Sequence, residues 1–282
     1  MNKTARWALS GAVYLALVVG GYSLYQGVWA QPEPAHPAEP QAAQPHEDAA
    51  HGNDTHGEAA HGGHEPGTAA DTQASLSYEN GQFSIAIRDA SGKPVEDFQV
   101  NHEKLNHLIV VSEDLQEYYH LHPEYQGKGT FTLSYPLKEG AYKAFVDVKP
   151  VNASYAVTPL SLQVGEAHSH EQHEPLRPDN QLTKTVEGRK VTMEMEPSSL
   201  QAGVPVTLRF TIHDGTPEKY LGALGHVVIL NETADQYVHV HPVSETETAF
   251  ETQFSQPGKY KIWAEFKLNG KVHTYPFVVE VK

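Results

Sequence analysis

His107, His120 and His122 stand close together in the chain, and His226, His239 and His241 repeat their spacing 119 residues later. The segments HLIVVSEDLQEYYHLHP (107–123) and HVVILNETADQYVHVHP (226–242) align without a gap. Six of their 17 positions are identical, and three of the six are these histidines. The others are the pairs Glu113/Glu232, Tyr118/Tyr237 and Pro123/Pro242. Downstream, GAYKAFVD (140–147) answers GKYKIWAE (258–265) and Pro159 answers Pro276, so the chain carries an internal duplication.

Two residues apart on a strand, His120 and His122 project from one face with Cα atoms roughly 6.6 Å apart. The apolar runs Leu108 to Val111 and Tyr118 to Leu121 flank a polar Ser112 to Glu117 segment, which predicts a β-hairpin. Pairing symmetric about Asp114 and Leu115 sets His107 opposite His122, where cross-strand Cβ atoms lie about 4.5–5.5 Å apart. Three imidazoles placed so can hold one ion at about 2.0–2.1 Å from each ring nitrogen. A lone His-x-His on a strand is ordinarily a polar, solvated face. The third histidine at the paired position, and the repetition of the whole set, distinguish this pattern, giving one three-histidine site per module.

Around these six, candidate fourth ligands are His102, His213 and His273, each read as a bystander because none recurs at an equivalent position. Asp147 and Glu265 share an acidic position and are candidate ligands or imidazole-orienting acceptors, with solvent exposure the favoured reading. Tyr118 and Tyr237 read as aromatics packed on their hairpins. Met193 and Met195 align with Ile85 and Ile87, which makes them core rather than a thioether copper(I) pair.

Composition narrows the chemistry further. With no cysteine, disulfides, thiolate zinc sites, type 1 copper centres and cysteine nucleophiles are excluded. A formal charge of −15 repels phosphate backbones and anionic lipid, so nucleic acid is not an expected partner and cations are.

The elements that must position the histidines follow from texture. Residues 1–30, with Lys3 and Arg6 before an apolar centre, read as a signal peptide or membrane anchor that places the rest outside the cytoplasm. Residues 31–74 are Pro, Ala, Gly, Glu and His with almost no large apolar side chain, and read as a disordered arm. Period-2 alternation then predicts β-sandwich modules over 75–165 and 183–282, joined by a histidine-containing linker over 166–182. The fold class expected is all-β, with two tandem immunoglobulin- or cupredoxin-like sandwiches. Histidines 36, 46, 51, 56, 61 and 64 of the arm and 168, 170 and 173 of the linker form loose metal-binding tracts.

The run IRDASGKPV (87–95), followed by a histidine-bearing strand and a Gly-x-Tyr strand, resembles the YtkA-like (FixH-related) secreted β-sandwich domains of bacteria. That resemblance implies a sandwich linked with handling copper or other metals outside the cytoplasm, and it carries over no ligand set.

The function expected is extracytoplasmic binding of copper or zinc for capture, buffering or delivery, without catalysis. Its partners would be metal ions and a membrane metal transporter or cell-surface protein. With the reference imidazole pKa, affinity would weaken as pH falls through roughly 6. Two alternatives stand beside it: a cupin-like metalloenzyme, suggested by the spacing of His239, His241 and Glu245, and a metal-free adhesion or scaffold module.

Overall fold

A computed structural model of the chain describes residues 70–166 and 174–282. The apolar N-terminal segment, the histidines of the arm, and His168, His170 and His173 lie outside the described residues, as do the expectations attached to them. Among the described residues no helix is long and apolar enough to cross a membrane.

The described fold is all-β, two tandem sandwiches of antiparallel strands. In module 1 the strands are β1 (Thr72–Glu79), β2 (Gln82–Asp89), β3 (Phe98–Gln99), β4 (Asn106–Ser112), β5 (Tyr118–Leu121), β6 (Glu124–Gly127), β7 (Thr130–Ser134), β8 (Gly140–Pro150) and β9 (Leu160–Val164). One sheet runs β1-β2-β7-β6; the other runs β3-β8-β4-β5, with β9 also on β8.

Module 2 consists of β10 (Thr183–Val186), β11 (Arg189–Glu196), β12 (Pro205–Ile212), β13 (Pro217–Glu218), β14 (His226–Asn231), β15 (Tyr237–His239), β16 (His241–Pro242), β17 (Ala249–Gln253), β18 (Gly258–Leu268) and β19 (Lys271–Val281). Its sheets are β10-β11-β12-β17-β16 and β13-β18-β14-β15, with β19 on β18. The first strand begins at Thr72, inside the stretch that composition assigned to the arm. Leu176, assigned to the linker, is buried in a core.

Alternation explains where the cores sit. Leu108, Val110, Ala144 and Val146 face inward and pack with Phe83, Ile85, Ile87 and Phe131 of the opposite sheet. In module 2, Val227, Ile229, Ile262 and Ala264 do the same against Met193, Leu208 and Phe250. The other faces of these strands are also buried: Ile109, Val111 and Phe145 join Val228, Leu230 and Trp263 in a third core drawn from both modules. β4 therefore reads as a continuous apolar run, as a strand covered on both faces should.

The β4–β5 hairpin takes the register read from the sequence. Leu108 pairs with Leu121, Ile109 with His120 and Val111 with Tyr118, so the next step sets His107 against His122. At its tip Leu115 adopts φ 60°, and the Ser112 hydroxyl accepts from the Glu117 N–H at 2.8 Å. Module 2 closes the equivalent tip with Ala234 at φ 47°, where the Asn231 side-chain oxygen accepts from Gln236 N–H at 3.0 Å. After His122 comes Pro123, which cannot donate to the ladder, and the chain crosses to the other sheet as β6.

Candidate metal centre

Period 2 sets His107, Ile109 and Val111 of β4, and Tyr118 and His120 of β5, on the outer face of their sheet, with His122 next in line. That face looks toward module 2, and the three imidazoles meet at its end. Ring centroids are 5.2 Å apart for His107 and His120, 5.0 Å for His107 and His122, and 4.8 Å for His120 and His122. One nitrogen from each ring lies within 4.8 Å of the other two.

Hydrogen bonds behind two of these rings place one ring hydrogen each. His107 Nε2 is 2.8 Å from the Asn101 carbonyl, which can only accept, so Nε2 carries the hydrogen. The carbonyl is presented by a two-residue turn in which His102 and Glu103 have φ 46° and 63°, closed by bonds of 2.7 and 3.0 Å between Asn101 and Lys104. Both central residues left-handed is the type I′ hairpin turn. His120 Nδ1 lies 2.6 Å from Glu265 Oε2, so Nδ1–H donates to the carboxylate.

The remaining nitrogens, His107 Nδ1 and His120 Nε2, are 2.9 Å apart. With both rings neutral, each presents a lone pair to the other, an arrangement stabilised only by a cation between them, a proton or a metal ion. Nearby, His122 Nε2 is buried without a hydrogen-bond partner among the described residues. Burial, and then the adjacent His120, push His107 down to about 4. Burial, followed by His120 and His107, pushes His122 down to about 3. Near neutrality both rings are uncharged, the state that ligates metal.

The donor set fits a divalent transition ion. With bonds of about 2.05 Å, nitrogens 2.9 Å apart subtend ~90° at the ion, and ~0.4 Å more separation reaches the tetrahedral angle. An acceptor behind each ligating imidazole is the usual outer shell of such sites. Beside the triad is a cavity of about 20 Å³ lined by His102, His107, His120, Asp147, His226 and Tyr237, room for one water-sized particle.

Module 2 repeats part of this. His226 Nε2 donates to the Tyr220 carbonyl at 2.7 Å, from a turn in which Leu221 and Gly222 have φ 52° and 80°. The His226 ring is 6.0 Å from His120 and 5.5 Å from His102. The backbone of His239 pairs with Val228 and that of His241 with Glu251; their side chains lie outside the description.

Three sequence expectations change. Asp147 and Glu265 are buried rather than solvated, at 5% and 7% exposure. Tyr118 and Tyr237 do not merely pack on their own hairpins: Tyr118 stacks on Trp263 and Tyr237 on Phe145, each in the other module. Their hydroxyls reach Glu265 at 3.4 Å and Asp147 at 3.2 Å. His102, read as a bystander, lines the cavity, whereas His213 bonds the Thr192 hydroxyl and His273 faces Glu187, both away from the triad. Met193 is core, as its alignment with Ile85 indicates. Glu245 is held at the surface by Lys219 at 2.7 Å.

The model of a family described as Domain of unknown function (DUF8832) matches residues 68–166 and again 184–282. The YtkA-like resemblance rests on the short motifs alone. No curated protein matches the chain. Among solved structures, a two fibronectin type-III domain segment from chicken tenascin is 10% identical, with 74% of this chain and 97% of that chain covered and a TM-score of 0.23. The Bacteroides ovatus mixed-linkage glucan utilization locus protein SGBP-B, solved with a mixed-linkage heptasaccharide, is 16% identical, with 72% and 41% covered and a TM-score of 0.19. Salmonella alpha-2-macroglobulin is 14% identical, with 75% and 15% covered and a TM-score of 0.24. Scores this low carry no functional inference.

Proposed function

Because the chain belongs, through both of its modules, to the DUF8832 family, its function has to be read from its own side chains, and we propose that it binds a transition-metal ion, copper or zinc, without turnover. The observation that carries this reading is the convergence of three imidazoles on one point, with His107 Nδ1 and His120 Nε2 2.9 Å apart. An acceptor stands behind each of these two rings, and the unpartnered Nε2 of His122 stands beside them. A buried Nε2 with no partner is costly for a merely structural cluster, since buried polar atoms normally find partners.

The protein's role is then capture, buffering or delivery outside the cytoplasm, where the apolar N-terminal segment directs it. The histidine tracts of the arm and linker gather ions loosely for the ordered centre, and a membrane transporter or surface protein exchanges metal with it.

The test is elemental analysis of the untagged full-length protein after equilibration with equimolar Zn²⁺ and Cu²⁺ and passage over a weak chelating resin. Wild type retains at least one ion, while His120→Ala and His122→Ala each retain less. Equal retention by all three would sink the reading. Wild type with no metal, and with no metal-induced rise in melting temperature, would favour a metal-free adhesion module.

A further inference from the structure

The carboxylate that fixes His120 does not come from its own module. Glu265 lies on β18, and the 2.6 Å contact joins two side chains that are 6% and 8% exposed. The contacts around it cross in the same way: Tyr118 lies on Trp263 and donates to Glu265, while Tyr237 lies on Phe145 and donates to Asp147. These residues exchange under the duplication, Tyr118 with Tyr237, Phe145 with Trp263 and Asp147 with Glu265. The interface is therefore self-complementary about a pseudo-two-fold axis, as in an isologous dimer. The cavity beside the triad takes its walls from both modules.

We propose that the centre belongs to the docked pair of modules: Glu265 is a positioning residue for the ligand His120, so that ion binding and module docking are coupled. This rests on the metal-binding reading above. The carboxylate holds the ring in one tautomer and raises the basicity of the ligating nitrogen. Without module 2 in place, module 1 keeps three histidines but loses that acceptor and the wall that excludes water. Coupling of this kind is reciprocal, so the ion also strengthens docking.

The test uses the full-length chain, Co²⁺ as the probe, a chromophoric chelator as competitor, and Co²⁺ d–d absorption as the signature. Glu265→Ala should weaken Co²⁺ binding by about 10- to 100-fold and shift the d–d bands at saturation. Glu265→Gln, whose amide oxygen can still accept the Nδ1–H, should recover part of the affinity. Bound Co²⁺ should raise the melting temperature of wild type more than that of Glu265→Ala. Wild-type affinity and bands in both variants overturn the proposal; if Glu265→Ala does not fold, the same result in Glu265→Gln alone overturns it. The two readings fail differently. Wild type that takes up no Co²⁺ removes metal binding itself, whereas uptake lost in His120→Ala but untouched in the Glu265 variants removes only the coupling.

Discussion

At the residue scale, burial keeps two of the site's imidazoles, His107 and His122, neutral. The folded-state pKa of His107 is about 4 and that of His122 about 3, both below the 6.5 of an unfolded chain. Between about pH 6.5 and 4 for His107, and down to about 3 for His122, the unfolded state binds more protons than the folded one, so stability falls as pH falls through that window. For His107 alone the loss is on the order of 3 kcal/mol, or roughly 5–10 °C in melting temperature. Thermal melts of metal-free protein from pH 7 to 4 measure it, and His107→Asn should flatten the slope; an unchanged slope would contradict the assignment. Proton competition at these two rings is likewise displaced below the pH of roughly 6 expected from the reference value. Burial is a property of packing, so the sequence could place these histidines on one face but could not supply that shift.

At the element scale, two strands and a turn aim the ligands. The pairing of β4 with β5 was legible, because the polar Ser112 to Glu117 segment between apolar runs specifies the hairpin and its centre. The type I′ turn at Asn101 to Lys104 was not, since neither His102-Glu103 nor Leu221-Gly222 is a strong turn signal and the two share no residue. Gly225, just before His226, shows how tightly β14 sits on β18. A Cβ there would lie 2.5 Å from the Phe266 ring and 2.9 Å from the Glu265 carbonyl oxygen. Gly225→Ala should cost about 1–3 kcal/mol by overpacking and move His226, read as a lower denaturation midpoint with an unchanged m-value. A midpoint equal to wild type would mean that β14 shifts freely.

At the scale of the whole molecule, the histidines stand at the end of an apolar seam shared by the two modules. Trp263, 2% exposed, belongs to that seam rather than to the core of its own module. Trp263→Ala should cost about 3–5 kcal/mol and separate the unfolding of the modules into two transitions, because each retains its own core. Phe277→Ala, a cut into the core of module 2, should destabilise that module while leaving the seam residues in place. A single unshifted transition for Trp263→Ala in urea denaturation would show that the seam does not hold the modules together.

The sequence by itself determined the duplication, the all-β class, the hairpin register and the grouping of His107, His120 and His122, since all of these follow from local periodicity and spacing. It also placed Met193 in the core through its alignment with Ile85. Only the tertiary structure decided that Asp147 and Glu265 are buried, that Tyr118 and Tyr237 reach across, and that Glu265 locks His120. A period-2 pattern shows which residues share a face, but not what covers it. Here the covering surface is the other copy of the same module, brought up from about 120 residues away.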